Sequence, residues 1–356
     1  ADKLGMDPLD FRLLNAVHEG DRAPSGVTHA HFGCQEVEEA MKSHPHYNAP
    51  ISGPNKGRGV AVGYRLNGGG SGSSATISVN SNGTINLITG SVDIGGTRTS
   101  VAMQAAEVLG IDIRDVNPTV VDTDSVGYTG GTNGSRITFD TGRAAILAAD
   151  EVIRHMTLRA ASIWEIQPED VEFANGTFIS TKQTEDRFSF QELAGKLMTT
   201  GGPLTCSASD NQGGVGAQLA GHIVDVEVDP DTGKVDILRY TTFLDAGKAV
   251  YPSYVEGQMQ GAALQGIGWA LNEEYFITDD GTMANSSLLD YRMPTTLDMP
   301  MIDTMIIEVP NPRHPFGLRA VGETVIVPPL GAIANAVSHA IGKRMTSLPM
   351  TPAVIL

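Results

Sequence analysis

The chain has 356 residues, 41% hydrophobic and 18% charged, which suffices for about two domains with their own cores and is too apolar for wholesale disorder. Its 24 Lys and Arg stand against 41 Asp and Glu, a formal charge of −17 that, with no segregated basic patch, repels phosphate backbones and anionic membrane surfaces. Two cysteines, Cys34 and Cys206, are too few for an all-cysteine zinc site or an ordinary iron–sulfur cluster; no apolar run reaches the roughly 20 residues of a membrane span and no signal-peptide pattern opens the chain, so a soluble, cytoplasmic protein with no nucleic-acid or membrane partner is expected.

In chain order, Asp7 and Pro8 predict a short helix over 6–15, with Asp7 as N-cap and Pro8 at its first position. Residues 16–57 carry several Gly, Pro and His and little periodicity, so 1–57 reads as an irregular lead-in with one further helix at 35–43. Alternation over 75–79 and 84–88 around Asn80-Ser81-Asn82-Gly83 predicts a β-hairpin. Helical spacing follows over 99–109, with Gly110 as its C′ residue, and again over 141–164. The Gly, Ser, Thr and Asn of 199–218 mark a boundary or long loop. A second hairpin, 222–228 with 234–243, turns at Asp229-Pro230-Asp231-Thr232-Gly233, and helices follow at 253–271 and 330–341, the last ended by Gly342. Hairpins alternating with long helices predict α+β layers, and not a doubly wound parallel sheet. The expected division is a lead-in at 1–57 and two elongated α+β subdomains, 58–205 and 206–356.

Four segments carry residue types suited to chemistry. Gly90-Ser91-Val92-Asp93-Ile94-Gly95-Gly96-Thr97-Arg98-Thr99 joins a strand to a helix. Glycines there bring backbone N–H groups and the positive helix end to an anionic ligand, and Thr97 and Thr99 add hydroxyls; the spacing meets neither the P-loop nor the dinucleotide pattern, and a turn capped by Thr97 or Thr99 is the plainer alternative. Gly130-Gly131-Thr132-Asn133-Gly134-Ser135-Arg136 also precedes a helix, with Arg136 offering a fork for phosphate or carboxylate. One extended polar ligand would account for both loops. On the helix at 253–271, Gly257, Gly261 and Gly268 share a face open to close packing, and Gln265 on that face is either a ligand contact or an ordinary buried, hydrogen-bonded glutamine. Finally, Glu323 is the one carboxylate in the run 316–329. A carboxylate in apolar surroundings holds its proton more tightly and suits a general base; the alternative is an ion pair with Arg319 that merely holds the turn. Glu273-Glu274 reads as a solvated pair, and His44, His46 and His314 show no metal-ligand spacing.

These segments occur in the order, and with the flanking words, of a known family. His222-Ile223-Val224-Asp225-Val226-Glu227-Val228-Asp229, Thr232-Gly233-Lys234-Val235, Asp245-Ala246-Gly247-Lys248, the 258–268 helix, Asp290-Tyr291-Arg292-Met293-Pro294-Thr295-Thr296, Gly322-Glu323, Ala332-Ile333-Ala334-Asn335-Ala336 and Leu348-Pro349-Met350-Thr351-Pro352 resemble the closing region of the molybdopterin-binding subunit of the xanthine dehydrogenase and aldehyde oxidase family of molybdenum hydroxylases. Gly5-Met6-Asp7-Pro8-Leu9-Asp10-Phe11-Arg12 resembles a segment from the middle of that subunit. The preceding molybdopterin-binding half is therefore expected to lie on another polypeptide or to have been cut away; such a division resembles nicotinate dehydrogenase, whose molybdopterin subunit is split into a large and a medium chain, and this chain is taken as the medium type.

The resemblance implies the fold of the family's molybdenum cofactor-binding domain and a molybdopterin, of the cytosine dinucleotide form, whose dithiolene holds the molybdenum, so that no protein side chain is a metal ligand. It implies that Glu323 is the base, that Gln265, Gly134 and Ser135 contact the cofactor, and that Gly95, Gly96, Thr97 and Thr99 form the other cofactor loop. One departure stands out: the family's Gly-Gln-Gly is Gly95-Gly96-Thr97 here, without the side-chain amide. Arg319 is the next candidate, near substrate. Implied partners are a second molybdopterin-binding chain, an iron–sulfur subunit carrying [2Fe–2S] and a subunit carrying FAD. The implied reaction is hydroxylation, with water-derived oxygen, of an electron-poor carbon in a nicotinate- or purine-like N-heteroaromatic. The alternatives are an aldehyde-oxidising subunit or a non-catalytic scaffold chain of such a complex.

Overall fold

The computed structural model describes every residue except Gly69, Gly70 and Thr184. It divides into two compact units, a split unit of Ala1–Leu66 with Gly216–Leu356 and an inserted unit of Asn67–Val215. The lead-in is therefore no separate segment, and the boundaries at 57 and 205 move to 66 and 215. The cause is a strand the alternation rule overlooked: β1 (Lys56–Asn67) joins the sheet of the split unit, and the preceding helices pack on that sheet.

That sheet runs β1-β9-β10-β11, with β9 (Gly216–Val228), β10 (Val235–Asp245) and β11 (Ile302–Ile307). The predicted hairpin is β9–β10, antiparallel and longer than expected, while β10 and β11 are parallel. Side chains alternate between its faces. Leu219, Ile223 and Phe243 meet α1 (Pro8–Leu14) and α2 (Cys34–Ser43) through Leu9, Val37 and Met41, with α3 (Pro45–Asn48) following. Asp7 caps α1 as expected, accepting from the N–H groups of Leu9 and Asp10. On the other face, Val224, Val226, Val228 and Tyr240 meet α8 (Pro252–Leu271) and α9 (Pro329–Ile341). The apolar window Thr324–Ile341 is half buried in this unit, and α9 has only 13 residues, about 20 Å of helix against the roughly 30 Å of a bilayer core. The short α10 (Pro352–Ile355) ends the chain.

The strand β1 is pressed against α9, backbone to backbone. Gly57, Gly59, Ala61, Gly63 and Arg65 share one face of β1. A Cβ at Gly57 would lie 2.2 Å from the Ala336 carbonyl oxygen, one at Gly59 2.0 Å from that of Ala332, and one at Gly63 2.6 Å from Val327. Two strand residues span about 6.6 Å and four helix residues about 6 Å, so the step from Gly57 to Gly59 moves the contact four residues back along α9, from Ala336 to Ala332.

In the inserted unit the main sheet runs β4-β3-β2-β8, with β2 (Ser73–Val79), β3 (Ile85–Thr89), β4 (Val116–Val120) and β8 (Leu204–Asp210). The hairpin β2–β3 matches expectation. The strand β8 lies inside the expected loop 199–218. Its Leu204 and Cys206 face the core while Thr205, Ser207 and Ser209 pair hydroxyl to hydroxyl with Ser78, Thr76 and Ser74 at 2.7–3.0 Å. Composition alone made a cross-strand hydroxyl row look like a loop. The helices α4 (Thr97–Leu109) and α5 (Ile137–Trp164) pack on the sheet and on each other through Ala102, Ala105, Ala144 and Ala148. A small antiparallel sheet, β5 (Val171–Ala174), β6 (Thr177–Ser180) and β7 (Arg187–Ser189), precedes α6 (Phe190–Ala194) and α7 (Leu197–Thr200). Both cysteines are buried and free.

Candidate active site

Glu323 sits at the end of a loop fixed by buried polar groups of the split unit. The Gly317 carbonyl accepts from Lys248 N–H (3.0 Å) and Asn311 N–H (2.8 Å), and Arg319 N–H donates to the Ala246 carbonyl (3.0 Å). Fully buried Gln218, on β9, donates its amide to the Asp245 and Ala320 carbonyls and accepts from the Thr324 hydroxyl at 2.9 Å. Just past Glu323 the chain turns inward, and Val325 packs with Leu244, Val255 and Met259. Interior anchors on both sides thus present the carboxylate outward without leaving its backbone loose.

The partner expected for Glu323 is not the one it has. Arg319 is 4% exposed and forms its ion pair with Asp245 at 3.1 Å, while its guanidinium donates to the carbonyls of Val309, Ala217 and His31 at 2.9–3.2 Å. Asp245 also accepts from Gly33 N–H (2.8 Å) and Gly247 N–H (3.1 Å). Burial pushes the Asp245 carboxyl up and the Arg319 guanidinium down, each opposed by the other's charge. Arg319 therefore ties the loop to the lead-in and to β9, with its guanidinium turned to protein groups and not toward an open site. Glu323 instead pairs with Arg65 at the end of β1, Nη2 to Oε1 2.7 Å. The expected dry, apolar setting is also replaced, since the Glu323 side chain is 41% and that of Arg65 35% exposed.

Gln265 is exposed on α8, which excludes the ordinary buried glutamine. Its helix is tied to the Glu323 loop, because Val255, Met259 and Ala262 pack on Val325 and a Cβ at Gly266 would lie 2.4 Å from Pro329. Of Gly257, Gly261 and Gly268, expected to share a packing face, only Gly268 is closely packed. Nothing lies within 4 Å of a Cβ at Gly257 or Gly261, and the close approaches are at Gly266 and Gly268.

In the inserted unit, Gly95 and Gly96 both take positive φ, and Gly96 caps α4 with no side-chain cap. Neither threonine is the cap: the Thr97 hydroxyl accepts from Ile94 N–H and donates to the Val92 carbonyl, both at 3.3 Å. The Asp93 carboxylate accepts from Arg98 N–H at 3.0 Å. The second loop turns at Gly134 (φ 57°) and Ser135 (φ 55°). A Cβ at Gly134 would lie 2.4 Å from the Gly68 carbonyl oxygen, so glycine is required there, and Ser135 holds a backbone conformation that non-glycine residues rarely take. Arg136 is fully buried and donates to the carbonyls of Gly131, Gly72 and Gly130, to Ser73 and to Asp140. Its fork builds the loop and is not offered to a phosphate.

Arg65, Gln218 and the partners of Asp245 escaped the sequence reading. The available signal was the alternating glycines of Lys56-Gly57-Arg58-Gly59-Val60-Ala61-Val62-Gly63, which mark a strand pressed against another backbone. Among the described residues no group of three His, Cys, Asp or Glu is placed to hold a metal ion. His46 is buried instead between Thr241 (2.8 Å) and Asp225 (3.3 Å). Left-handed backbone at Gly95 and Gly96 stands just ahead of α4, and at Gly134 and Ser135 just ahead of α5; the N–H groups of two helix N-termini are a donor set that fits an extended anionic cofactor.

Comparison with known proteins agrees with this donor set. A family model described as the molybdopterin cofactor-binding domain matches residues 36–300. The chain is 32% identical, over 96% of its length, to the 6-hydroxypseudooxynicotine dehydrogenase complex subunit gamma of Paenarthrobacter nicotinovorans, covering 45% of that protein. It is 30% identical, over 99% of its length, to a putative xanthine dehydrogenase molybdenum-binding subunit of Escherichia coli, covering 49%. Quinoline 2-oxidoreductase from Pseudomonas putida superposes on 100% of the chain with a TM-score of 0.89 at 26% identity, over 50% of its own length. The chain spans about half the length of the curated relatives it matches.

Proposed function

Because the chain belongs to the molybdenum hydroxylases, as part of their molybdopterin-binding subunit, we propose that it supplies the proton acceptor, Glu323, for hydroxylating an electron-poor carbon of a nicotinate- or purine-like N-heteroaromatic substrate with water-derived oxygen. The observation that carries this reading is a carboxylate presented outward from a loop whose own polar groups are buried and satisfied. A base so held keeps its position while its carboxylate stays exposed at the rim of the loop.

On this reading Gly95, Gly96, Thr97, Thr99, Gly134 and Ser135 of the inserted unit, and Gln265 of the split unit, are contacts to molybdopterin in its cytosine dinucleotide form. When bound, that group supplies the two-electron redox chemistry, for which this chain has no centre of its own among the described residues. Glu323 takes up the proton that hydroxylation releases. Arg319 and Gln218 are positioning residues that hold the 317–324 loop.

The partner chains are a second molybdopterin-binding polypeptide, a [2Fe–2S] subunit and an FAD subunit. Leu288, Leu289, Leu297 and Met301 support such contacts, being 78–98% exposed within one stretch between α8 and β11.

The test is Glu323→Gln in the purified assembly, with turnover and molybdenum content measured together. The expected result is a loss of at least about a hundredfold in kcat with molybdenum unchanged; near-normal turnover removes Glu323 from the reaction. Substrate class is tested by comparing turnover of N-heteroaromatics with that of aldehydes, and preference for aldehydes replaces the first substrate reading by the second.

A further inference from the structure

Two arginine–carboxylate pairs meet the 317–324 loop, one through Arg319 and one through Glu323, and they differ in how readily they open. Arg319 and Asp245 are enclosed, with side-chain exposures of 3% and 0%, and breaking such a pair strands a buried charge. Arg65 and Glu323 lie at the rim, 35% and 41% exposed, where solvent compensates and an ion pair shifts an equilibrium only several-fold. The first pair is a fixture and the second can be exchanged.

We propose that Arg65 is a substrate-binding residue that takes an anionic group, a carboxylate carried by the heteroaromatic substrate, and in doing so releases Glu323. This rests on the reading of Glu323 as proton acceptor. Guanidinium and carboxylate are matched in shape and charge, so a substrate carboxylate competes directly with Glu323 for the same donors. The protein's formal charge of −17 repels an anionic substrate at long range, and a local cation beside the base reverses that at contact. The strand fixes where the cation stands, because a Cβ at Gly63, two residues earlier on the same face, would lie 2.6 Å from Val327 and 3.0 Å from Pro328. The Arg65 backbone is thereby held against the turn that follows Glu323. Arrival of the anion and liberation of the base become one event.

The experiment uses the purified holo-assembly and titration calorimetry with two probes of one shape, pyridine-3-carboxylate and pyridine-3-carboxamide. The carboxylate is expected to bind about three- to fivefold more tightly than the amide. Arg65→Met abolishes that preference, and Arg65→Lys, which keeps the charge without the fork, restores part of it; thermal melting of both variants checks that they fold. Glu323→Gln, which removes the competing carboxylate, tightens pyridine-3-carboxylate binding several-fold and leaves the amide unchanged. The proposal is overturned if the wild type shows no preference, if the preference survives Arg65→Met, or if Glu323→Gln fails to tighten carboxylate binding. Retained turnover in Glu323→Gln is a separate result that removes the base, so failure of that reading and failure of this one are told apart.

Discussion

Replacing Gly59 with alanine asks whether β1 lies as close to α9 as the structure places it. Gly59 is not among the positive-φ glycines, so alanine adopts its backbone without strain and the whole effect comes from contact. The new Cβ would lie 2.0 Å from the Ala332 carbonyl oxygen and 2.3 Å from the Ala336 nitrogen, whereas ordinary contact begins at 3.4 Å. Strand and helix must therefore part by about 1.4 Å, and the helix side of that contact carries Ala332, Ile333, Ala336 and Val337, all fully buried. Overpacking costs about 1–3 kcal/mol, and an obstruction made of backbone leaves no side chain to swing aside, so about 2–3 kcal/mol is expected. For a unit of about 200 residues this lowers the melting temperature by about 4–12 °C. Differential scanning calorimetry is the assay, with Gly257→Ala as the counterpart. Gly257 is exposed on α8 with nothing within 4 Å, and there alanine gains about 0.5–1 kcal/mol of helix stability. The two variants should shift in opposite directions; a Gly59→Ala melt within about 1 °C of wild type refutes the close approach.

Three further outcomes are expected. Burial pushes the Glu38 carboxyl up to about 7 against the charge of Arg12, so the folded chain keeps a proton that the unfolded chain releases above about pH 4.3. Stability is therefore lost as pH rises from there toward 7; Glu38→Gln should raise the melting temperature at pH 8 and leave it unchanged at pH 4, and equal shifts at both contradict this. Arg319→Ala strands Asp245 and should cost about 3–5 kcal/mol in denaturant unfolding, an effect below about 1 kcal/mol meaning that the pair is already solvated. Gln218→Ala leaves the Thr324 hydroxyl and two buried carbonyls without their amide partner and should cost about 2–4 kcal/mol, read from the same curves; a change within error would show water replacing the amide.

Elements whose stability is local were legible. The Asp7-Pro8 cap of α1, the β2–β3 and β9–β10 hairpins and the Gly110 and Gly342 helix ends were all written in adjacent residues. The strands β1 and β8 were not. Their signals, glycine at alternate positions and hydroxyls at alternate positions, are those of loops until the neighbouring element is known. The site followed the same rule. Glu323 stood out because it is alone among apolar neighbours, but its partner lies 258 residues away, and no local pattern distinguishes Arg65 from Arg319, four positions from it in sequence. Proximity along the chain suggested a pairing that burial forbids, because Arg319 points inward to Asp245.

The alternation along β1 makes the neighbour of Glu323 a matter of odd and even numbers. Adding or deleting one residue just after Gly57 would reverse the two faces of the rest of the strand, turning Val60, Val62 and Tyr64 toward α9 and Arg65 away. A single-residue indel there would remove the cation while conserving every side chain that matters, whereas a change of two would keep the faces and only shift the reach. Protein engineers trimming this strand should count in pairs.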